Sequence, residues 1–217
     1  MLAALNAMVY ARIAIYYYDD PTHPWATHIP LVLKQHRLSN PTGPVYFITN
    51  HATWTYPDIR IVRTSTLPPI PPVLANAFPV SYQNQRESSF RFWYMHQLMR
   101  RDGLQDVVQI ETDQLMYMDL DTWMPLAAAP LWVTPLTTNK ATASIFFARS
   151  AEAMDPFIDY MMIWYTHNHA WRAIQAGIDL FERPKYHQEL ETDVFCMSGL
   201  WAFHRRFPHL LRMLPTQ

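Results

Sequence analysis

The stretch VVQIETDQLMYMDLD, residues 107–121, constrains the fold more than any other part of the sequence. Its first four residues are a short, mostly apolar run ended by polar residues, which is typical of a buried strand in a parallel sheet. Glu111 and Asp113 follow, and side chains two positions apart on extended chain lie on the same side. Two like charges at the end of a buried strand require a cation or hydrogen bonds to offset them. Because ligands of open α/β sheets bind at those ends, the stretch predicts a divalent cation shared with a phosphate.

Composition limits the class of protein further. The chain has 217 residues, half of them apolar, and therefore predicts a single globular domain spanning 1–217. A net charge of −1 without a basic block predicts no nucleic-acid partner. The single Cys196 excludes an internal disulfide and fits a reducing compartment, so we expect a cytoplasmic location. The four glycines are scattered, which excludes a P-loop and a dinucleotide fingerprint.

The N-terminal residues 2–18 are apolar but are interrupted by Asn6 and Arg12. This run is too short and too broken for a membrane-spanning helix. It also has no basic start or small-residue cleavage site of a secretory signal. The sequence therefore predicts no membrane span.

The first half of the chain alternates strand and helix patterns. Residues 12–18 (RIAIYYY) and 44–50 (PVYFITN) predict strands, and the helix between them is expected to begin at the N-cap Thr27 and to end near Leu38. This order implies a parallel pair with a right-handed crossover. A third strand is expected at residues 58–64. It is followed by a proline-rich loop over 67–79 and by a helix over 88–101 capped by Ser88 or Ser89.

The second half is less regular. Residues 131–134 and 143–148 predict short strands, and residues 151–163 predict a helix that runs on towards Gly177. Residues 188–207 predict the last helix. The whole pattern predicts an α/β domain, in which a mixed, mostly parallel Rossmann-type sheet is flanked by helices.

This layout resembles a GT-A glycosyltransferase, a nucleotide-sugar-dependent transferase. The correspondence covers most of residues 12–215 and is in motif order. ARIAIYYYDD and VYFITN resemble the first two strands of that fold, and SSFRFWYMHQLMRRDGLQDVVQIETDQLMY resembles the helix that leads to its DxD metal motif. LWVTPLTTNKATASIFFARS, ELETDVFCM and LLRMLP resemble the segments that follow. Small chlorovirus-type capsid glycosyltransferases are the narrower resemblance, and a viral enzyme would work in the host cytoplasm. Two departures are that the acidic motif is E-T-D, and that the family's C-terminal histidine ligand has no single match.

The resemblance implies a function and a division of the domain. It implies transfer of a hexose or deoxyhexose from a UDP- or GDP-sugar, UDP being favoured, to a glycan or glycoprotein acceptor. Residues 10–121 would bind the nucleotide and residues 122–217 the acceptor. Inversion at the anomeric centre is preferred, because an acidic residue is available as a base. The alternatives are a non-catalytic sugar-binding or scaffold domain and a nucleotidyltransferase.

The residues expected at the donor site lie on several elements. Asp113 would ligate Mn²⁺ or Mg²⁺, and Glu111 would bind the metal through water or touch the ribose; Thr112 lies between them. Asp119 and Asp121 fit the literal D-x-D pattern but are also expected to begin a turn or cap a helix. The residues expected to contact the nucleotide-sugar elsewhere are Tyr17, Tyr18, Thr49, Asn50, Arg91 and Ser144, with Arg91 paired to the diphosphate.

The C-terminal half supplies the remaining candidates. Asp193, with Glu191 nearby, is predicted to deprotonate the acceptor hydroxyl. His204 and His209 are the two candidates for the third metal ligand. Cys196 has apolar neighbours and is interpreted as a buried packing residue.

Overall fold

The computed structural model describes residues 12–19, 27–51, 53–77, 83–117, 119–123, 129–137, 140–167 and 196–213. These residues form one seven-stranded sheet with helices on both faces. The strands are β1 (Ile13–Tyr17), β2 (Val45–Thr49), β3 (Arg60–Arg63), β4 (Val107–Ile110), β5 (Leu131–Thr137), β6 (Lys140–Ala148) and β7 (Leu211–Met213). The helices are α1 (Ile29–Ser39), α2 (Pro72–Ala75), α3 (Gln83–Asp102), α4 (Leu120–Trp123), α5 (Ala151–Thr166) and α6 (Cys196–Arg206), with a 3₁₀ turn at Thr64–Thr66.

The sheet order is β3-β2-β1-β4-β6-β5-β7. Strands β1 to β4 are parallel to one another, β6 runs antiparallel to both β4 and β5, and β7 is parallel to β5. The predicted strand–helix–strand unit and the mixed, mostly parallel sheet are confirmed. Strands β1, β2 and β4 are almost completely buried because helices cover both faces of the sheet, whereas the outer strand β3 is only partly buried.

Each face of the sheet has its own core. Helices α2, α3, α5 and α6 pack on one face, where Phe92, Phe146 and Phe157 contact one another with ring centroids 5.1–5.7 Å apart. Helix α1 and the segment after β4 cover the other face, where Met116 and Leu120 join Val32 and Leu33. The chain therefore crosses this second face after it leaves the end of β4.

The helix boundaries show where the predictions were wrong. α1 begins at Ile29 after His28, which makes no side-chain cap, so Thr27 is not its N-cap. α3 begins at Gln83, five residues before the predicted start, and Ser89 lies inside the helix, with its hydroxyl 2.9 Å from that of Tyr165. The prediction of a cap used only the residues near Ser89. The contact that Ser89 makes is with Tyr165 of α5, which is distant in sequence.

Other boundaries agree more closely. α3 ends at Asp102, where Gly103 has φ +64° and the Leu104 N–H donates to the carbonyl of Met99, as in a Schellman motif. α5 is capped by the Ser150 hydroxyl and ends at Thr166, although residues 168–177, into which it was predicted to continue, lie outside the described residues. The predicted loop over 67–79 contains the short helix α2. No described helix is long and apolar enough to cross a membrane.

A charged contact joins α3 to α5 away from the end of β4. Arg100 Nη2 lies 2.6 Å from both carboxylate oxygens of Asp155, and His96 Nε2 lies 2.7 Å from one of them. The Arg100 and Asp155 side chains remain 48% and 38% exposed, so water screens the pair.

Replacing Arg100 by glutamine is therefore expected to leave the urea midpoint of unfolding close to that of the wild type, because water screens the pair. Urea unfolding measures the change. The neighbouring Arg101→Gln is the matched control, because Arg101 pairs with Asp102 of its own helix. A midpoint clearly lower in Arg100→Gln than in Arg101→Gln would contradict this view of the contact as a screened surface pair.

Candidate active site

The carboxyl ends of the parallel strands meet at one edge of the sheet. Tyr16 of β1 is level with Ile110 of β4, and Tyr17 is level with Ile48 of β2. The residues that follow these strands must therefore lie side by side. Antiparallel β6 reaches the same edge in mid-strand, where the Glu111 N–H donates to the Ser144 carbonyl over 3.1 Å.

Both carboxylate oxygens of Glu111 are engaged within the protein. Arg91 Nη1 lies 2.5 Å from Oε1, and the Ser144 hydroxyl donates to Oε2 over 2.9 Å. The Glu111 side chain is 26% exposed. The structure thus brings three predicted site residues together, but as partners of one another.

Arg91 lies on α3 and is buried, with only 5% of its side chain exposed. Its Nε and Nη2 are also buried and have no hydrogen-bond partner among the described residues. A buried guanidinium requires a nearby anion, and Glu111 supplies it. One of the three guanidinium nitrogens of Arg91 is thus used by an ion pair inside the protein, and the predicted ion pair between Arg91 and a diphosphate stays a prediction.

Asp113 differs from Glu111 in being exposed. The Gln114 N–H donates to the Glu111 carbonyl over 3.1 Å, which closes a four-residue turn containing Thr112 and Asp113. Among the described residues, the Asp113 carboxylate accepts one long hydrogen bond, of 3.4 Å, from the Gln114 side-chain amide. Asp113 is therefore the acid of the motif that faces solvent.

A second acid, Asp19, joins the ends of β1 and β2. Its carboxylate accepts the Asn50 N–H over 3.2 Å and the Tyr17 hydroxyl over 3.3 Å. Burial raises the pKa of Asp19, although these hydrogen bonds and the nearby His51 act in the opposite direction. Asp19 thus fixes the positions of Tyr17 and Asn50.

Aromatic rings stack beside Asp19. Tyr18 and Trp54 are nearly parallel, with centroids 5.8 Å apart and planes at 10°, and His51 lies 4.9 Å from Trp54. Thr49 is fully buried, and its hydroxyl accepts the His51 N–H over 3.2 Å. Thr49 therefore shapes the turn after β2, and the structure does not bring it to the surface of the site.

The literal D-x-D pair lies at the opposite edge of the sheet. Asp119 accepts the Asp121 N–H over 2.9 Å, as a residue that caps α4 does. Asp121 in turn accepts the N–H of Arg12, which directly precedes β1, over 2.8 Å. Between Asp113 and Asp119 the chain has crossed from one edge to the other, so these two acids do not join the site.

His204 and His209 are also far from Glu111. His204 Nδ1 lies 2.7 Å from the carbonyl oxygen of Leu211, the first residue of β7, and His209 is exposed in the turn before it. Leu211 pairs with the start of β5 and is level with Val107. Three strand spacings, about 14 Å, separate β7 from β4, so neither histidine shares a cation with Asp113 in this structure.

Among the described residues, no group of three or more His, Cys, Asp or Glu side chains is arranged to hold a metal ion. Asp113 fits a carboxylate ligand because it is exposed, whereas Glu111 fits less well because its two oxygens already accept hydrogen bonds from Arg91 and Ser144. The candidate bases Asp193 and Glu191 lie outside the described residues.

Three residues at this edge were missed by the sequence analysis: Asp19, His51 and Trp54. Asp19 directly follows a predicted strand, as Glu111 does, and this position was the signal that could have found it. The stacking of Trp54 on Tyr18 depends on the meeting of β1 and β2, which no local pattern reports.

The fold is similar to that of solved glycosyltransferase structures, although the sequence has no matching family. No protein-family profile and no curated protein matches the sequence. Similar solved structures include the glycosyltransferase GlyE of Streptococcus pneumoniae TIGR4, with a TM-score of 0.50 and 9% identity over 94% of this chain and 45% of GlyE. The galactosyltransferase LgtC, solved with donor and acceptor sugar analogues, aligns with a TM-score of 0.49 and 10% identity over 92% of this chain and 72% of LgtC. The bacterial N-acetylglucosamine transferase NleB aligns at 0.39 and 8% over 88% of this chain and 94% of NleB. This chain, which spans less than half of GlyE, has the mixed α/β fold of the GT-A glycosyltransferases.

Proposed function

We propose that this chain is a glycosyltransferase that moves a hexose or deoxyhexose from a nucleoside diphosphate sugar to a glycan or glycoprotein acceptor. UDP is the favoured nucleotide and GDP the other candidate. The donor would bind to residues 10–121 and the acceptor to residues 122–217.

One observation carries this proposal: an exposed carboxylate follows the central strand at the edge where the other parallel strands end. Asp113 lies in a turn directly after β4, and Asp19 and Asn50 follow β1 and β2 at the same edge. Ligands of α/β sheets bind outside these carboxyl ends. The fold shared with GlyE is consistent with the same use of this edge.

The base and ribose would be held where β1 and β2 end. Tyr18 and His51 are half-buried and stack on the buried Trp54, and their rings are of the kind that holds a planar base. The Asp19 carboxylate fixes the turn of Asn50 beside them. The diphosphate would then extend towards Asp113, and the sugar towards Ser144.

The transfer itself exchanges one bond at the anomeric carbon for another. The bond to the diphosphate oxygen breaks, and its electron pair leaves with the nucleoside diphosphate. The acceptor oxygen forms the new bond and loses its proton to a carboxylate, for which Asp193 or Glu191 is proposed, with inversion. Mn²⁺ or Mg²⁺, when bound at Asp113, would neutralise charge on the departing diphosphate.

Binding and turnover measurements test this function. Calorimetry with UDP and GDP, each with and without Mn²⁺, is expected to show nucleotide binding that the metal strengthens. Donor-hydrolysis assays over a panel of UDP- and GDP-sugars then identify the sugar. Absence of nucleotide binding under all these conditions would refute the proposal.

Asp19→Ala is expected to weaken nucleotide binding by about tenfold, because the Tyr17 hydroxyl and the Asn50 N–H both lose their acceptor. Calorimetric titration with UDP or GDP measures the change. Asp58→Ala is the control, because Asp58 is exposed and precedes β3 at the opposite edge. Equal nucleotide affinity in the wild type and Asp19→Ala would exclude this role.

A non-catalytic sugar-binding domain is the second candidate function. It is favoured by the internal pairing of Glu111, which leaves Asp113 as the exposed acid of the motif. Such a domain would bind a glycan without requiring a nucleotide. Glycan binding combined with no response to any nucleotide would support this candidate.

A further inference from the structure

We infer that Glu111 is the buried counterion of Arg91 and a positioning residue, rather than a metal ligand, so that Asp113 is the acid of the E-T-D motif available to a cation. The part of this inference that concerns the cation rests on the proposed function. The part that concerns the ion pair rests on the geometry of the protein alone.

Each oxygen of the Glu111 carboxylate already accepts a hydrogen bond within the protein. Arg91 Nη1 donates to Oε1 over 2.5 Å, and the Ser144 hydroxyl donates to Oε2 over 2.9 Å. The Glu111 main chain is held as well, since its N–H donates to Ser144 of the adjacent strand. Side chain and main chain thus fix one position for this carboxylate.

Charge and burial both oppose a change of partner in which the Glu111 carboxylate leaves Arg91 and binds a metal ion. Arg91 is 5% exposed, and Glu111 is its acidic partner among the described residues. A divalent cation that took Oε1 would leave the guanidinium buried without its anion and would add a second positive charge beside it. Both changes are unfavourable, because an uncompensated buried charge is strongly destabilising.

The length of the side chain agrees with this role. Glutamate has one more methylene group than aspartate, and Glu111 contacts Arg91 on α3 and Ser144 on β6 together. An aspartate on the same main chain would fall short of at least one of them. The glutamate at the first position of the motif is therefore explained by the ion pair.

A stability cycle tests the ion pair. Glu111→Gln is expected to lower the unfolding temperature by roughly 5–10 °C, because Arg91 loses its anion. The double variant Glu111→Gln with Arg91→Met contains neither charge. It is therefore expected to recover a good part of the unfolding temperature that Glu111→Gln loses. Glu111→Asp is expected to be destabilised even though it restores a literal D-x-D. Additive losses in the double variant, or a Glu111→Asp protein as stable as wild type, would overturn the inference.

Metal binding gives the second readout, measured by calorimetric titration of Mn²⁺ into protein saturated with UDP. Asp113→Asn is expected to raise the Kd for Mn²⁺ by at least about tenfold. The Glu111→Gln variant is expected to change it by less than about threefold. A loss with Glu111→Gln as large as that with Asp113→Asn, or tighter binding by Glu111→Asp, would show that Glu111 is a ligand. If the wild type binds only GDP, the Mn²⁺ titration is made with GDP in place of UDP. If it binds neither nucleotide, the proposed function fails, whereas the stability cycle still decides the ion pair.

Discussion

Replacing Asp113 by asparagine is expected to lower donor turnover by about 10²- to 10³-fold while the fold stays intact. Asp113 is exposed, and within the described part of the chain its carboxylate makes one 3.4 Å contact, to Gln114, so little folding energy depends on its charge. Asparagine keeps the shape of the side chain and removes the negative charge that would face the diphosphate and its cation. Release of nucleoside diphosphate from the donor sugar measures turnover, and thermal unfolding checks the fold.

Asp119→Asn is the matched control for Asp113→Asn. It makes the same chemical change six residues away, at the opposite edge of the sheet, and asparagine retains the oxygen that caps α4. Donor turnover is expected to remain at the wild-type level in this variant. If Asp119→Asn and not Asp113→Asn abolished turnover, the literal D-x-D pair would be the functional one and the proposed site would be wrong.

The strands of the first half could be predicted from the sequence because their signals are local. The runs around Ile15, Phe47 and Val108 are β-branched and aromatic, and they are buried because the sheet is covered on both faces. Each run ends at polar residues where the strand reaches the edge. The parallel order then follows from the helices that lie between the strands.

The partners of Glu111 could not be predicted in the same way. Arg91 is 20 residues away and Ser144 is 33 residues away, so the ion pair exists only after α3 and β6 have packed beside β4. The sequence places two acids after a strand, and that spacing alone favours a shared cation. The tertiary structure neutralises one of the two and leaves the other exposed.

The distance of His204 from the site has a similar cause. A histidine on the last helix is a reasonable third ligand only if that helix reaches the carboxyl edge. Here β7 is level with the start of β4, and the His204 imidazole is held to the Leu211 carbonyl. Sheet order and direction decide its place, and neither can be obtained from residue spacing within one helix.

Stability is expected to fall by about 3 kcal/mol as the pH is lowered from 6.5 to about 4, through His36 alone. His36 is 1% exposed, and burial together with the adjacent Arg37 lowers its pKa from 6.5 to about 4. In that window the unfolded chain binds a proton at His36 and the folded protein does not, so acid favours unfolding. Its Nδ1 lies 2.9 Å from the buried Tyr16 hydroxyl, which can stabilise a neutral imidazole but not offset a buried charge. Urea unfolding at a series of pH values measures the slope.

The contribution of His36 is isolated by comparing slopes rather than absolute stabilities. His36→Gln keeps a polar group near Tyr16 and cannot titrate, so its unfolding free energy is expected to change about 3 kcal/mol less over the window than that of the wild type. Burial also lowers the pKa of His96. Because His96 is present in both proteins, its contribution to the slope cancels in the difference. Equal slopes in the wild type and His36→Gln would mean that His36 gains its proton in the folded protein as readily as in the unfolded chain.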